Sequence, residues 1–245
     1  MQVGGSGTLG AGSGAIPLEN RVTGMRETKL REQMVRFGRS LFERGLTPGS
    51  SGNISVQLDD GGWLVTPTNA SLGFLDPASI SRLDAKGNLV SGDKPTKEIP
   101  LHAALYDTVK GSQAVVHLHS THSVAVTMLP EIDPKSVLPP MTPYYLMRAG
   151  CTALVPYFRP GDPAVAEAIK GLAGKYTSVL LANHGPVVAG KDLEGAVFAI
   201  EELEETAKLY LLLRGLNPRY LSQEQVAELA RQFPLPGPDG AHDHH

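Results

Sequence analysis

The sequence is short of cysteine, of clustered basic charge and of long apolar runs. Cys151 is the only cysteine in 245 residues. That excludes an internal disulfide framework and fits a reducing compartment, so a cytoplasmic location is expected. Cys151 itself reads as a packed core residue. Basic and acidic residues nearly balance, 22 against 25, for a formal net charge of −3. With no long basic run, neither nucleic acid nor an anionic membrane surface is an expected partner. No stretch approaches the ~20 apolar residues that span a bilayer. No basic segment leads into an apolar core, so a secretory signal is not expected either. Internal repeats and interdomain linkers are also missing.

What is present suits one sizeable α/β domain, with 41% hydrophobic residues to build a core. Residues 1–24 are rich in Gly and Ser and are expected to form a flexible leader. Residues 25–233 form the expected domain. Residues 234–245 read as a flexible tail; its His242, His244 and His245 carry little functional weight, because a mobile segment loses ordering entropy to form a site.

Leu30, Met34, Phe37 and Leu41 recur at helical spacing and predict a first helix over about 25–44. Strands are predicted at 54–58 and 63–66 around the turn Asp59-Asp60-Gly61-Gly62, and a smaller hairpin over 80–92. Thr96 is expected to cap a helix over about 98–110, with Pro100 tolerated in its first turn. Ala114 to Ser120 reads as a buried strand, followed by a short helix through Leu129 and a Pro-rich loop over 130–143. Further strands are expected at 151–156, 178–182 and 187–189. Asp162 is expected to cap a helix through Leu172, and a last helix covers about 222–232. A long amphipathic helix over 193–214 buries Val197, Ile200, Leu203, Ala207, Tyr210 and Leu211; Glu201, Glu202, Glu204 and Glu205 read as its solvated face. Strands and helices interleave with hairpins, which predicts a mixed or largely antiparallel sheet between helical layers.

The chemistry concentrates at strand ends. Successive strand side chains alternate in direction, so His117 and His119 share one face. His184 arrives at the end of another predicted strand, in Asn183-His184-Gly185. Three imidazoles match an open catalytic zinc site; Mn²⁺, Co²⁺ and Fe²⁺ also suit such donors. Glu98 starts the helix just before the His-x-His strand. It can ligate the metal or act as a proton donor and acceptor, or be simply an acidic residue at a helix N-terminus. His102, one turn later, and His122 are candidate supporting groups. Gly49 to Asn53, Thr68 and Asn69, and Thr96 with Lys97 make three polar loops of the kind that hold an oxyanion. Together with the metal they point to a small phosphorylated substrate. Tyr145 reads as an interface packing residue.

Ser51-Gly52-Asn53-Ile54-Ser55, Thr66-Pro67-Thr68-Asn69, Thr96-Lys97-Glu98, His117-Leu118-His119 and Asn183-His184-Gly185-Pro186 together resemble the class II aldolase/adducin family. They fall in the family's order and span most of residues 25–215. The resemblance implies a three-layer α/β/α fold around a central, mostly antiparallel sheet, a divalent metal, usually zinc, and a homo-oligomer, often a tetramer, with sites near subunit interfaces. It places His117, His119 and His184 in the metal-ligand positions, beside the Glu98 that the residues themselves offer as a further ligand. It also gives Glu98 the catalytic acid/base position. Gly52, Asn53, Thr68, Asn69, Thr96 and Lys97 match its substrate-phosphate positions. Members acting on L-fuculose 1-phosphate carry two serines before the Glu, where this chain has Thr96 and Lys97.

The run Gly-Asp-Lys-Pro-Thr-Lys-Glu-Ile-Pro-Leu-His, from Gly92 to His102, and Thr-Pro-Thr-Asn-Ala-Ser-Leu-Gly, from Thr66 to Gly73, look most like one branch. Its members convert a four-carbon 3-oxo acid phosphate to dihydroxyacetone phosphate and CO2 through a metal-stabilised enediolate. An aldolase or epimerase acting on another sugar phosphate is the second expectation. A non-catalytic adducin-like interaction module is the third.

Overall fold

The computed structural model describes residues 18–172 and 174–236. An eight-stranded sheet runs through its middle. Its strands are β1 (Asn53–Gln57), β2 (Trp63–Val65), β3 (Ser81–Leu83), β4 (Leu89–Ser91), β5 (Ala114–His117), β6 (Thr152–Val155), β7 (Ser178–Leu181) and β8 (Gly185–Gly190). Their order across the sheet is β4-β3-β2-β1-β5-β8-β7-β6. Every pairing is antiparallel except β6 with β7.

Helices cover both faces, which is why the central strands read as unbroken apolar runs and not as alternating ones. Alternation is still there, hidden by double burial. Val116, Leu180 and Val188 join one core with Met34 and Leu41 of α1 (Leu18–Glu43) and Val197, Ile200 and Leu203 of α6 (Leu193–Leu213). Their neighbours Val115, Val179 and Val187 join a second core with Leu101 and Leu105 of α2 (Ile99–Thr108) and Val165 and Ile169 of α5 (Ala164–Lys170). The three-layer α/β/α architecture expected from the sequence is therefore present.

Several boundaries move. Helix α1 begins at Leu18 and not at Met25, so Leu18 to Gly24 of the expected leader are helical. Extending a nucleated helix adds one hydrogen bond per residue fixed, which favours such propagation. Residues 1–17 lie outside the described residues. At the other end Leu235 is buried in the first core. Pro236 closes on Gly150, where a Cβ would sit 1.9 Å from the Pro236 carbonyl oxygen. The expected tail is thus anchored at its start; residues 237–245 and their histidines lie outside the described residues.

Helix α5 starts at Ala164, with Asp162 accepting the Ala164 N–H. Helix α7 (Gln223–Gln232) is entered through a capping box made by Ser222 and Gln225. The short helix α4 (Pro143–Arg148) has no counterpart in the sequence expectations; Thr142 caps it by accepting the Tyr145 N–H. Tyr145 itself is buried within the chain and donates its hydroxyl to Thr152, a core role and not an interface one.

Helix α6 corrects a second expectation. Glu204 is only 3% exposed. One carboxylate oxygen accepts the backbone N–H and Nδ1 of His122, and the other accepts the backbone N–H and hydroxyl of Ser123. These are the orphan donors at the start of α3 (Thr121–Thr127). A carboxylate reaching in from another helix satisfies them and opposes the positive end of the helix dipole.

Candidate metal centre

The sheet register gathers the site. Asn53, the first residue of β1, lies opposite His117, the last of β5. On the other side of β5, His117 lies opposite Val187 of β8. The tight turn from β7 into β8 carries Asn183, with φ of 57°, and His184, whose N–H returns to the Leu181 carbonyl. Gly185 is required there: a Cβ would lie 2.1 Å from the Leu118 carbonyl oxygen, and 3.2 Å from the His119 Cα. A side chain at 185 would push the His184 turn away from the His117–His119 segment.

The Nε2 atoms of His117, His119 and His184 form a near-equilateral triangle. The separations are 3.2 Å for His117–His119, 3.1 Å for His119–His184 and 3.4 Å for His117–His184. Zinc bound tetrahedrally at about 2.0–2.1 Å needs nitrogens about 3.3 Å apart. Glu98 completes the set, its carboxylate oxygens 3.5 Å from His117 Nε2 and 3.6 Å from His184 Nε2. All four donor atoms lie within 4.8 Å of one another.

Protonation fits the same reading. His117 Nδ1 lies 2.9 Å from the Pro186 carbonyl oxygen. A carbonyl can only accept, so Nδ1 carries the hydrogen and Nε2 presents its lone pair inward. Burial pushes the His117 pKa down to about 4, with His184 and His119 adding to the fall against the opposing charge of Glu98. Burial likewise lowers His119 and His184. A neutral imidazole is what a metal needs. For Glu98, burial acts to raise the pKa, but His117, the hydrogen bond from Asn53 and His184 outweigh it, and the net shift is downward. The donor set therefore fits a divalent cation.

Glu98 does not come from the first turn of a helix capped by Thr96. It is itself the N-cap residue of α2, and Thr96 sits behind it, its hydroxyl accepting the Glu98 N–H at 3.3 Å. Asn53 donates its amide to Glu98 at 2.7 Å, while its carbonyl faces His102. Beyond His102 stand Ser55 and Tyr106. These supporting groups had a signal in the sequence. Asn53 and Ser55 alternate on one strand face, and Glu98, His102 and Tyr106 repeat at i, i+4 and i+8 on one helix face. His122, the other candidate supporter, is taken up by Glu204.

The polar loops meet at the same end of the sheet. Gly52, at φ of 77°, packs so closely that a Cβ would lie 2.9 Å from the His117 carbonyl oxygen. The Thr68 N–H bonds the Lys94 carbonyl and the Thr96 N–H bonds the Thr66 carbonyl, which locks the second and third loops together. Asn69, at φ of 59°, and Lys97 are exposed there. Beside Glu98 and His184 opens a cleft walled by Pro100, Phe158, Val165 and Leu181, with Arg159 at its rim.

Residues 32–211 match the model of the class II aldolase and adducin N-terminal domain. A curated 3-oxo-tetronate 4-phosphate decarboxylase from Cupriavidus necator is 53% identical over 188 residues, 77% of this chain and 86% of that relative. The protein of that name from Escherichia coli K12 is 49% identical over 203 residues, 83% of this chain and 96% of the relative. The crystal structure of YgbL from Escherichia coli superposes with a TM-score of 0.80 at 48% identity, covering 83% of this chain and 98% of that one. An L-fuculose 1-phosphate aldolase structure gives 0.70 at 27% identity, covering 83% and 95%. The resemblance, the site and the fold agree: the chain belongs to the class II aldolase and adducin family.

Proposed function

We propose that the protein is a metal-dependent carboxy-lyase that converts a 3-oxo-tetronate 4-phosphate to dihydroxyacetone phosphate and CO2. Curated relatives of this name at about half identity over most of the chain support the substrate. The observation that carries the chemistry is the His117–His119–His184 triangle with Glu98 beside it. His117, His119 and His184, with Glu98, would hold the cation, and zinc is the metal best suited to three imidazoles and a carboxylate.

Bound there, a divalent cation supplies a Lewis acid for charge building on the substrate's ketone oxygen. The bond between C1 and C2 breaks, CO2 departs, and its electron pair passes into the C2–C3 bond as an enediolate. Glu98 then delivers a proton to C2, which yields dihydroxyacetone phosphate. Its carboxylate is ionised in the free protein. A substrate that takes the place of Glu98 at the cation frees the carboxylate, and the substrate's carboxylate and phosphate charges disfavour its ionised form, so Glu98 takes its proton from solvent as substrate seats. Gly52, Asn53, Thr68, Asn69, Thr96 and Lys97 form the phosphate-binding face. Lys97 contributes the cation there. The Asn53 amide already gives one N–H to Glu98 and its oxygen to His102, so only its second N–H is left to meet the phosphate.

A homotetramer is the proposed assembly, supported by apolar side chains left exposed, such as Phe74, Tyr144, Leu212 and Leu216; sedimentation velocity measures it. Among the described residues no helix is long and apolar enough to cross a membrane, and a cytoplasmic location is proposed. The test of function is CO2 and dihydroxyacetone phosphate release by the zinc-loaded protein. Aldehyde release from ketose 1-phosphates without CO2 would support the aldolase reading instead, to which an L-fuculose phosphate aldolase from Methanococcus maripaludis, 36% identical over 186 residues, lends its weight.

A further inference from the structure

Between β1 and α2 a buried file of polar groups leads back from Glu98 through Asn53 to His102, Ser55 and Tyr106, and the chemistry above does not use the last three. Asn53 Nδ2 donates to Glu98 Oε2 at 2.7 Å. Asn53 Oδ1 meets His102 Nε2 at 2.5 Å. Ser55 Oγ lies 2.6 Å from His102 Nδ1 and 2.8 Å from the Tyr106 hydroxyl. His102 and Ser55 are both fully buried, so water is not available to satisfy either.

The polarity of this file is forced from one end to the other. An ionised carboxylate only accepts, so Asn53 must present its NH2 to Glu98. The Asn53 oxygen then faces His102 and only accepts, so His102 Nε2 must carry the hydrogen. The ring is wholly buried and its nitrogens meet only the Asn53 amide oxygen and the Ser55 hydroxyl, with no carboxylate to support a charge, so it is neutral and its Nδ1 is an acceptor. Ser55 must therefore donate to Nδ1, and its oxygen accepts from Tyr106. Reversing any one link leaves a buried donor facing a donor, or an oxygen facing the Glu98 carboxylate. A primary amide does not pass protons along such a file under ordinary conditions. The file orients; it does not conduct.

We propose that Tyr106, Ser55 and His102 act as a polarity lock: they fix the orientation of the Asn53 amide so that the Glu98 carboxylate always meets an N–H donor and is held aimed at the reacting carbon. His102 is thus a positioning residue, acting through Asn53. The proposal rests on the reading that Glu98 is the proton donor of a decarboxylase. Residues of this kind, one step removed from a metal site, typically cost about 10–100-fold when lost.

The experiment has two arms. Neutron diffraction from crystals of the zinc-loaded full chain in D2O is expected to show deuterium on His102 Nε2, none on Nδ1, and the ND2 group of Asn53 toward Glu98. Deuterium on Nδ1, or the Asn53 oxygen toward Glu98, overturns the lock, and this arm decides it even if no decarboxylation is found. In the second arm, His102→Phe is expected to keep zinc at the wild-type ratio and to lower kcat about 10–100-fold, with KM within about threefold. His102→Gln, whose amide can donate to Asn53 and accept from Ser55, should recover most of that loss. Equal activity in all three proteins overturns the proposal. So does an equal loss in both variants, which is the signature of a packing role alone. A wild type inactive toward the 3-oxo acid phosphate sinks the functional reading and leaves the neutron result standing.

Discussion

His117 carries most of what makes this site a candidate metal centre. It is fully buried, tied at Nδ1 to the Pro186 carbonyl, and depressed in pKa to about 4. Each feature alone is ordinary for a packed histidine; in combination they leave one neutral lone pair aimed at two others. His119 and His184 are less buried and rely on that frame. Replacing His119 with Ala removes one corner of the triangle, and the expected outcome is loss of zinc on dialysis, read by metal analysis, with turnover falling to background. Glu98→Gln keeps the three nitrogens and the hydrogen bond from Asn53 but cannot carry a proton. The variant should retain metal and slow product formation by about 100-fold or more, within the usual range for a lost acid or base. Near-normal turnover of this variant would move proton delivery to another group. That Glu98, His117, His119 and His184 come together was legible in the sequence because donors of these residue types stand at strand and helix ends. The role of Asn53 was legible only in part. Its place in a polar loop suggests a phosphate contact, whereas its amide is engaged by Glu98 and His102, a pairing set by the distance between β1 and α2.

At the scale of elements, the strands of the centre and the long helices were readable because double burial and helical periodicity leave strong patterns. Ends were less so. The early start of α1 and the anchoring of Leu235 depend on propagation and on docking, neither of which has a local sequence code. Glu204 shows the limit most clearly. In a run of acidic residues on one helix it is indistinguishable from its neighbours Glu201, Glu202 and Glu205, yet it alone turns inward to hold the start of α3. What selects it is the position of another helix. Its removal should therefore be costly. Glu204→Ala leaves the buried Ser123 N–H and hydroxyl without their acceptor, at about 1–3 kcal/mol each, while the half-buried His122 N–H can turn to water. The expected loss is about 2–5 kcal/mol in urea unfolding, against less than about 0.5 kcal/mol for Glu205→Ala on the solvated face. Similar losses for the two variants would show that the cap contributes little.

For the whole molecule, the site is a liability that a bound cation would offset. Folding packs His102 and His117 away from water as neutral rings, with pKa values near 3 and 4 against an ordinary value of 6.5. Between those values and 6.5 the unfolded chain binds more protons than the folded one, so stability rises with pH across that window and falls as pH drops through it. Glu98, also lowered, acts with the same sign at the acid end of the window. A bound metal would add stability by mass action, and protons would displace it only near the lowered pKa values of the folded site, since they compete for the same lone pairs. Chelator-treated protein is therefore expected to show a urea midpoint that is level from pH 8 to 7 and falls steadily from pH 6.5 to 5. The zinc-loaded protein should begin higher, fall alongside the chelated curve, and converge on it only as pH nears the folded-state value of His117, about 4, where zinc is released into solution. A chelated midpoint that stays flat down to pH 5 would mean that the imidazoles reach solvent or are charged in the folded state, and the site would then be a poor holder of any cation. The fold pays for catalysis with acid stability because a neutral, buried imidazole that suits a metal is the same group that cannot accept a proton without opening the core.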